Sequence, residues 1–145
     1  MNAPLHLIAY ASRRSPDVDD DQIVDDIALP SYRKNRSLEI TGCLWFDDEH
    51  FLQFIEGTRD NLEGLYKSIC ADSRHLDVRE LVNRPVESRA FARFALQVVK
   101  NDDLDPVQEL IRLTFEEPDP QIVPEELVSQ IVIRTDAALA RLSEA

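Results

Sequence analysis

Three polar residues lie at positions where the sequence otherwise predicts an apolar core. Tyr10 lies in the short apolar run of residues 6–11, and Gln53 lies within residues 51–55 with apolar neighbours on both sides. Asn35 lies at the end of a helical pattern, six residues before a Thr-Gly pair. A buried amide without a partner costs about 1–3 kcal/mol. Gln53 must therefore bond either a neighbouring side chain or a bound ligand.

The chemistry open to these side chains is hydrogen bonding rather than covalent catalysis. A glutamine amide has a donor end and an acceptor end of the same size, so Gln53 can present either end to a ligand. Taken singly, Tyr10 is better explained as a core tyrosine with a bonded hydroxyl, and Gln53 as a structural amide. The sequence has no Ser-His-Asp order, phosphate loop or metal-ligand spacing, and Cys43 and Cys70 form no redox motif.

The elements that would position these residues follow from the apolar pattern. It predicts strands over residues 6–11, 39–46, 51–55, 78–82 and 91–99, the second and third forming a hairpin. One helix is predicted to start in the acidic run of residues 17–21 and to end near Asn35, and another to cover residues 60–71. The order β-α-β-β-α-β-β contains the ferredoxin-like βαββαβ unit. It predicts an α/β (α+β) fold with two helices on one face of the sheet.

Two features complicate this simple layout. Pro30 falls inside the first predicted helix and is expected to kink or break it. Both faces of the central strands are largely apolar, and two helices on one face leave the other uncovered. Helical patterns within residues 105–115 and 124–142 predict a C-terminal two-helix extension as one cover, and a partner subunit is the other candidate. The predicted domains are residues 1–100 and residues 101–145.

The polar residues belong to an ordered set. The string Asn35-x5-Thr41-Gly42-x8-Phe51-Leu52-Gln53-x2-Glu56-Gly57 resembles the core signature of BLUF domains, the blue-light sensors that use FAD. Further matches are Tyr10 in its apolar strand, the pair Arg74-His75, and Pro85 with Phe91. The resemblance covers residues 5–100, and no gap has to be forced into the match. The ordered set of residues is far more specific to the family than any one of its motifs.

The resemblance implies a photosensor that binds FAD, with FMN or riboflavin as alternative cofactors. It places the flavin ring between the two helices, against one face of the sheet. The cofactor-binding residues that it implies are Tyr10, Ile27, Asn35, Gln53, Arg74 and His75. Asn35 is expected at the polar edge of the ring, and Gln53 between the ring and Tyr10.

The same resemblance implies how light acts. Tyr10 is expected to give an electron to the excited flavin while a proton moves through Gln53. The amide of Gln53 is then left in its other bonding arrangement, by rotation or tautomerisation, and a new hydrogen bond at the flavin carbonyl produces a small red shift. No net reaction is required, so the protein is expected to be a switch and not an enzyme.

The last strand departs from the family pattern. Many members carry Trp-x-Met there, and the matching residues in this chain are Phe94 and Leu96. We expect the signal relay to pass through these two residues, although Leu96 cannot accept a hydrogen bond from Gln53. The departure favours an alternative, a BLUF-like binding module that holds no flavin or holds it without photochemistry. A third hypothesis, an acylphosphatase-like enzyme, rests on the shared fold and on Arg13-Arg14.

Composition and charge limit the partners. The chain has 145 residues and a formal net charge of −12, which argues against nonspecific binding to nucleic acid or to an anionic membrane. No signal peptide or run of membrane-spanning length is found, which predicts a cytoplasmic protein. No room for a catalytic output domain follows residue 100, so output is expected through contact with an unknown downstream protein. The apolar strand faces predict a homo-oligomer.

Overall fold

Five strands of one sheet form the frame of the chain. The computed structural model describes residues 4–92, 95–100, 110–112 and 114–115. The strands are β1 (Leu5–Arg14), β2 (Thr41–Phe46), β3 (His50–Thr58), β4 (His75–Val86) and β5 (Gln97–Lys100), in the spatial order β4-β1-β3-β2-β5. The first four strands pair antiparallel in the ferredoxin-like order, and β5 adds a parallel neighbour to β2. The predicted fold class is confirmed.

Helical segments occupy the two connections that cross this sheet. The first is a continuous helical run made of α1 (Asp20–Gln22), a π-helical segment (Ile23–Ala28) and α2 (Leu29–Ser37), and the second is α3 (Arg59–Ala71). The acidic run starts the first helix as predicted. Asp19 is the N-cap: its carboxylate accepts from the amide of Gln22, and the side chain of Gln22 accepts from the amide of Asp19.

Of the kink or break expected at Pro30, the break is wrong, because the helix continues through Pro30 to Ser37. The distortion lies immediately upstream, in the π-helical segment Ile23–Ala28. Proline has no amide hydrogen, and in α-helical register that hydrogen would bond the carbonyl of Asp26. This carbonyl instead accepts from Nη1 of Arg74 at 3.0 Å. A wider helical turn therefore accommodates the ring, and a side chain from outside the helix uses the freed acceptor.

The fifth strand begins later than the sequence predicts, at Gln97 instead of residue 91. Phe91 lies outside the sheet ladder because its amide, like that of Ala90, donates to the carboxylate of Glu56. Amides that bond a side chain cannot also pair with a neighbouring strand. β4 is also longer than predicted, because backbone pairing with β1 continues through its polar residues.

Two apolar clusters lie on the helix-covered face of the sheet. The π-segment cluster joins the first helical connection to β2 and β3 and consists of Ile23, Ile27, Leu44, Phe46, Phe51 and Leu96. The α3 cluster joins α3 to β1 and β3 and consists of Ile8, Ile40, Ile55, Leu62 and Leu65. Tyr10 follows Ile8 by two residues, and Gln53 lies between Phe51 and Ile55 on the same face. The two polar residues therefore stand between the two clusters.

The opposite face of the sheet is buried as well, through Leu7, Ala9, Trp45, Leu52 and Phe54. The ring of Phe91 stacks on that of Phe54, with centroids 5.5 Å apart. The chain divides into two compact units, Met1–Asp102 and Asp103–Ala145, and helical backbone is described in the second at residues 110–112 and 114–115. The predicted two-helix extension and its role as a cover stay predictions, because most of residues 101–145 lie outside the described part of the chain.

Gly42 is the position in β2 where the packing leaves no room for a side chain. A Cβ atom built there would lie 2.1 Å from the backbone carbonyl oxygen of Phe54. We expect Gly42→Ala to lower the free energy of unfolding by about 3 kcal/mol, measured by urea denaturation. The matched control is Gly64→Ala, where a Cβ meets nothing within 4 Å in the middle of α3. It should raise stability by about 1 kcal/mol, and equal effects at both glycines would contradict the account.

Candidate functional site

The centre of the site is a buried hydrogen bond between two neighbouring strands. Tyr10 of β1 lies directly opposite Gln53 of β3, and the Tyr10 hydroxyl donates to Oε1 of Gln53. Tyr10 is 0% exposed and Gln53 is 6% exposed. Because Oε1 is engaged by the tyrosine, Nε2 is the end of the amide left for another partner. Within the described residues it makes no hydrogen bond.

Aromatic rings surround the Tyr10 side chain. The ring of Tyr66, on α3, stacks on it with centroids 5.8 Å apart and an interplanar angle of 28°. The ring of His75 meets its edge, also at 5.8 Å. Burial raises the pKa of Tyr10 well above its usual value, and the negative charges of Cys70, Tyr66 and Asp72 would raise it further. Tyr10 therefore stays protonated at neutral pH and is available as a hydrogen-bond donor.

His75 begins β4 and closes one side of this group. Its Nδ1 lies 3.0 Å from Oγ of Ser12, and the centroid of its ring lies 4.5 Å from the centroid of the Phe51 ring. Burial lowers the pKa of His75 to about 4, opposed by the nearby Asp72 carboxylate and helped by the charge of Arg74. The imidazole is therefore neutral at pH 7 and contributes a polar but uncharged wall.

Arg74 points away from this wall, although it precedes His75 in the chain. Its guanidinium makes an ion pair with Asp72, at 2.6 Å between Nη2 and Oδ2, and reaches the Asp26 carbonyl at the π-segment. The hydrogen bond to Asp72 raises the pKa of Arg74 and lowers that of Asp72. Arg74 thus ties the start of β4 to the first helical connection, at the edge of the site and not at its centre.

Asn35 supplies the most specific evidence for a ligand. It lies near the end of α2 and is 0% exposed, and its Nδ2 donates to the carbonyl of Ala95 at 3.1 Å. Its Oδ1 is buried and has no hydrogen-bond partner in the part of the chain that the structure describes. A buried acceptor of this kind is costly unless something donates to it. Oδ1 of Asn35 therefore fits a ligand that presents an N–H group.

The apolar side of the site is the π-segment cluster. Ile27 and Leu96 both belong to it, and so does Leu44, which lies opposite Gln53 in the β2–β3 register. A ligand between the two helical connections would therefore contact the apolar side chains of the π-segment cluster on one side. On its other side it would contact the face of α3 that carries Tyr66. Phe94, the second relay residue predicted from the sequence, lies outside the described residues.

The donor set fits a flavin ring. Such a ring is flat and largely apolar, and its pyrimidine edge carries carbonyl acceptors and an N–H donor. Gln53 Nε2 offers a donor for a carbonyl, Asn35 Oδ1 offers an acceptor for the N–H, and Ile27 offers an apolar contact. The structure thus brings Tyr10, Gln53 and His75 together, and places Ile27 and Leu96 in one adjoining cluster.

The sequence interpretation missed two residues of the site, and it missed the contacts of a third. Ser12 follows Tyr10 by two residues and shares its face of β1, so strand alternation could have identified it. Tyr66 carries no signal beyond its place on a predicted helix. Glu56 was recognised as part of the signature, but its contacts with the amides of Ala90 and Phe91 could not be read from spacing.

The described part of the chain contains no group of three or more His, Cys, Asp or Glu side chains that could hold a metal ion. None of its helices is long and apolar enough to cross a membrane.

Comparison with known proteins agrees with this chemistry. Residues 5–97 match the family model described as sensors of blue-light using FAD (BLUF). The chain is 30% identical over 86 residues to the blue light- and temperature-regulated antirepressor BluF of Escherichia coli (strain K12), covering 56% of this chain and 21% of that protein. It is 31% identical over 88 residues to photoactivated adenylate cyclase subunit beta of Euglena longa, covering 60% of this chain and 10% of that protein.

Solved structures show the same relationship over more of the chain. The dark-state structure of BlrB, a BLUF protein, superposes with a TM-score of 0.76 at 29% identity, covering 95% of this chain and 98% of that one. The BLUF domain of BlrP1 superposes with a TM-score of 0.67 at 28% identity, covering 91% and 92%. The photo-activated state of BlsA, with a TM-score of 0.73 at 22% identity and covering 90% and 93%, supports the fold alone.

The lowered pKa of His75 predicts how stability depends on pH. Between pH 6.5 and about 4 the unfolded chain protonates this histidine and the folded chain does not. The free energy of unfolding should therefore fall as pH drops through this window, by at most about 3 kcal/mol. Urea denaturation of the wild type and of His75→Gln, at pH 7 and pH 4.5, measures the difference.

The substitution removes the titrating group, so part of the pH dependence should disappear in His75→Gln. A His75→Gln variant with an unchanged slope would show that burial does not hold this imidazole neutral.

Proposed function

The chain belongs to the BLUF family, the sensors of blue light that use FAD, and from that premise we propose that Tyr10 and Gln53 are its light switch. The observation that carries the proposal is their buried hydrogen bond, which leaves Gln53 Nε2 without a partner among the described residues. The family is one of sensors, in agreement with the expectation that the chain is not itself an enzyme.

FAD, when bound, supplies the absorption of blue light and an excited state that can accept an electron. We propose Asn35 Oδ1 and Gln53 Nε2 as the groups that hold the polar edge of its ring, and Ile27 as an apolar contact. His75 lines the pocket as a neutral side chain, and Arg74 stabilises the pocket edge through Asp72 and the Asp26 carbonyl. Asn35 Oδ1 and Gln53 Nε2 are assigned to the ring because neither atom has a hydrogen-bond partner among the described residues.

The role of Tyr10 follows from its surroundings. A phenol that gives up an electron becomes strongly acidic and must pass its proton to a nearby acceptor. The Tyr10 hydroxyl is bonded to Gln53 Oε1, and its complete burial keeps bulk water away. The proton is therefore directed to Gln53 and can return by the same bond, which makes the reaction reversible.

The role of Gln53 follows from the symmetry of its amide. Rotation or tautomerisation exchanges the donor and acceptor ends with little change in shape. The neighbouring residues allow this exchange, because Leu44 lies opposite Gln53 and Leu96 lies in the same cluster as Leu44. Neither side chain can hydrogen-bond the amide and favour one of its arrangements. We propose that the relay to β5 passes through Leu96, which packs in the π-segment cluster. The part of Phe94 in the relay stays a prediction from the sequence.

Output is proposed to be contact with another protein. A relative is described as an antirepressor, and the chain spans about a fifth of that protein and a tenth of the cyclase subunit. The downstream partner, a homo-oligomeric state and a cytoplasmic location stay predictions from the sequence.

A second candidate, a flavin-binding module without a light switch, is favoured by Leu96 in place of methionine. The third hypothesis, an acylphosphatase-like enzyme, loses its support. The Arg14 guanidinium is bonded to the carbonyls of Val18 and Asp47 and to Asp20, and Arg13 pairs with Asp77.

The switch is tested by removing each partner of the central hydrogen bond. Gln53→Leu keeps the approximate volume and removes both ends of the amide, and Tyr10→Phe removes only the hydroxyl. Both variants should retain FAD and lose the light-induced red shift, recorded as a light-minus-dark absorption spectrum.

Tyr66→Phe is the matched control, because it removes a hydroxyl next to Tyr10 but keeps the ring that stacks on it. It should retain the red shift. A full red shift in Gln53→Leu would contradict the assignment, and loss of the shift in all three variants would point to general disruption of the pocket.

A further inference from the structure

Glu56 is a buried carboxylate on the face of the sheet opposite to the light switch. It is 1% exposed and lies on β3 three residues after Gln53, so strand alternation directs it to the other face. Its Oε1 accepts from the amide of Phe91 at 2.9 Å and from the Thr41 hydroxyl at 3.2 Å. Its Oε2 accepts from the amide of Ala90 at 2.5 Å. One carboxylate thus binds two consecutive backbone amides.

Arg89 and Phe91 strengthen the same attachment. Nη1 of Arg89 donates to Oγ1 of Thr41 at 2.9 Å and to the carbonyl of Glu56 at 3.1 Å. The ring of Phe91 stacks on that of Phe54. Residues 89–91, which follow β4, are therefore fixed to β2 and β3 by hydrogen bonds and by an aromatic contact. We call this attachment the Glu56 clamp.

Ala95 and Leu96, which follow the Glu56 clamp in the chain, contact the side of the sheet that carries Asn35 and the π-segment cluster. The carbonyl of Ala95 accepts from Nδ2 of Asn35, and Leu96 is buried in the π-segment cluster. Ala95 lies four residues after Phe91 and two residues before Gln97, which pairs with β2, so the clamp and the β5 pairing hold the chain on either side of it. Asn35 is thus bonded at Nδ2 to this connection, while its Oδ1 is free for the ligand.

The orientation of the Asn35 amide depends on this second bond. The two ends of an asparagine amide have the same shape, so only hydrogen bonds decide which end faces a ligand. The Ala95 carbonyl accepts only from the NH₂ end, which leaves the oxygen end for the ligand. If Ala95 moves away, the amide can turn over, and its NH₂ group would replace the acceptor that a ring N–H needs.

We propose that Glu56 is a positioning residue of the light switch: it places Ala95 so that Asn35 presents its oxygen to the flavin ring. The proposal rests on the function proposed above, because it assumes that Asn35 holds the polar edge of FAD. It explains why the signature combines Thr41 and Glu56, which face each other across β2 and β3, with Asn35 on α2.

The test is Glu56→Gln in the full chain loaded with FAD. The amide keeps one acceptor, but its NH₂ group would face a backbone amide hydrogen, so the clamp loosens without loss of volume. We expect FAD to stay bound, the infrared bands of the flavin carbonyls to shift in the dark state, and dark recovery to accelerate about tenfold. Recovery accelerates because a less firmly held ring edge lowers the barrier for Gln53 to turn back, by about 1.4 kcal/mol for that factor.

Glu63→Gln is the matched control, since Glu63 is an exposed carboxylate on α3 that pairs with Arg59. It should leave both readouts unchanged. Wild-type carbonyl bands and recovery in a folded, FAD-loaded Glu56→Gln protein would overturn the proposal and leave Glu56 a purely structural residue. If Glu56→Gln does not fold, Arg89→Met is the alternative variant. It loosens the same clamp by removing the hydrogen bonds from Arg89 to Thr41 and to the Glu56 carbonyl. It should change both readouts in the same direction, and unchanged values there would also overturn the proposal.

The wild type separates this proposal from the function on which it rests. A wild-type chain that binds no FAD, or that shows no light response, would remove the proposed switch and the role of Glu56 together. A wild-type light response with an unaffected Glu56→Gln variant would remove only the role of Glu56.

Discussion

The hydrogen bond from Tyr10 to Gln53 requires a dry environment, and the surrounding fold provides it. Both side chains lie on central strands of a five-stranded sheet, between one apolar cluster under the π-segment and another under α3. Tyr66 and His75 cover the remaining sides of the tyrosine. Without bulk water, the proton of Tyr10 has a defined acceptor, and the Gln53 amide has few competing partners. A reversible switch depends on both conditions.

The positions of the strands depend in turn on close contacts that few side chains permit. Gly42 lets β2 approach the Phe54 carbonyl, and Glu56 holds the connection between β4 and β5 against the sheet. That connection includes Ala95, whose carbonyl accepts from Asn35. The signature residues therefore form one physical network, in which two residues define the chemistry and the others fix the backbone that presents it. The freed Asp26 carbonyl, bonded by Arg74, adds a further tie between β4 and the first helix.

The sequence was sufficient to predict most of the fold. Alternating apolar residues predicted the order of strands and helices, and the acidic run predicted a helix start that the structure places after the Asp19 cap. The predicted limits of the elements were wrong where a side chain hydrogen-bonds a backbone group. Glu56 bonds the amides of Ala90 and Phe91 and delays β5, and Arg74 bonds the carbonyl that Pro30 leaves free. The site showed the same limit, because the family resemblance predicted a role for Asn35 but not that one end of its amide donates to the Ala95 carbonyl. Such long-range contacts have no local sequence pattern.

The central claim is that the Tyr10–Gln53 pair makes this chain a working light switch despite Leu96 in its last strand. An absorption spectrum of the wild-type protein loaded with FAD, in the dark and directly after blue illumination, tests it most directly. The account predicts flavin bands that shift to the red under light and return in the dark. Flavin bands that do not move would contradict it and would identify a flavin-binding module whose switch is inactive.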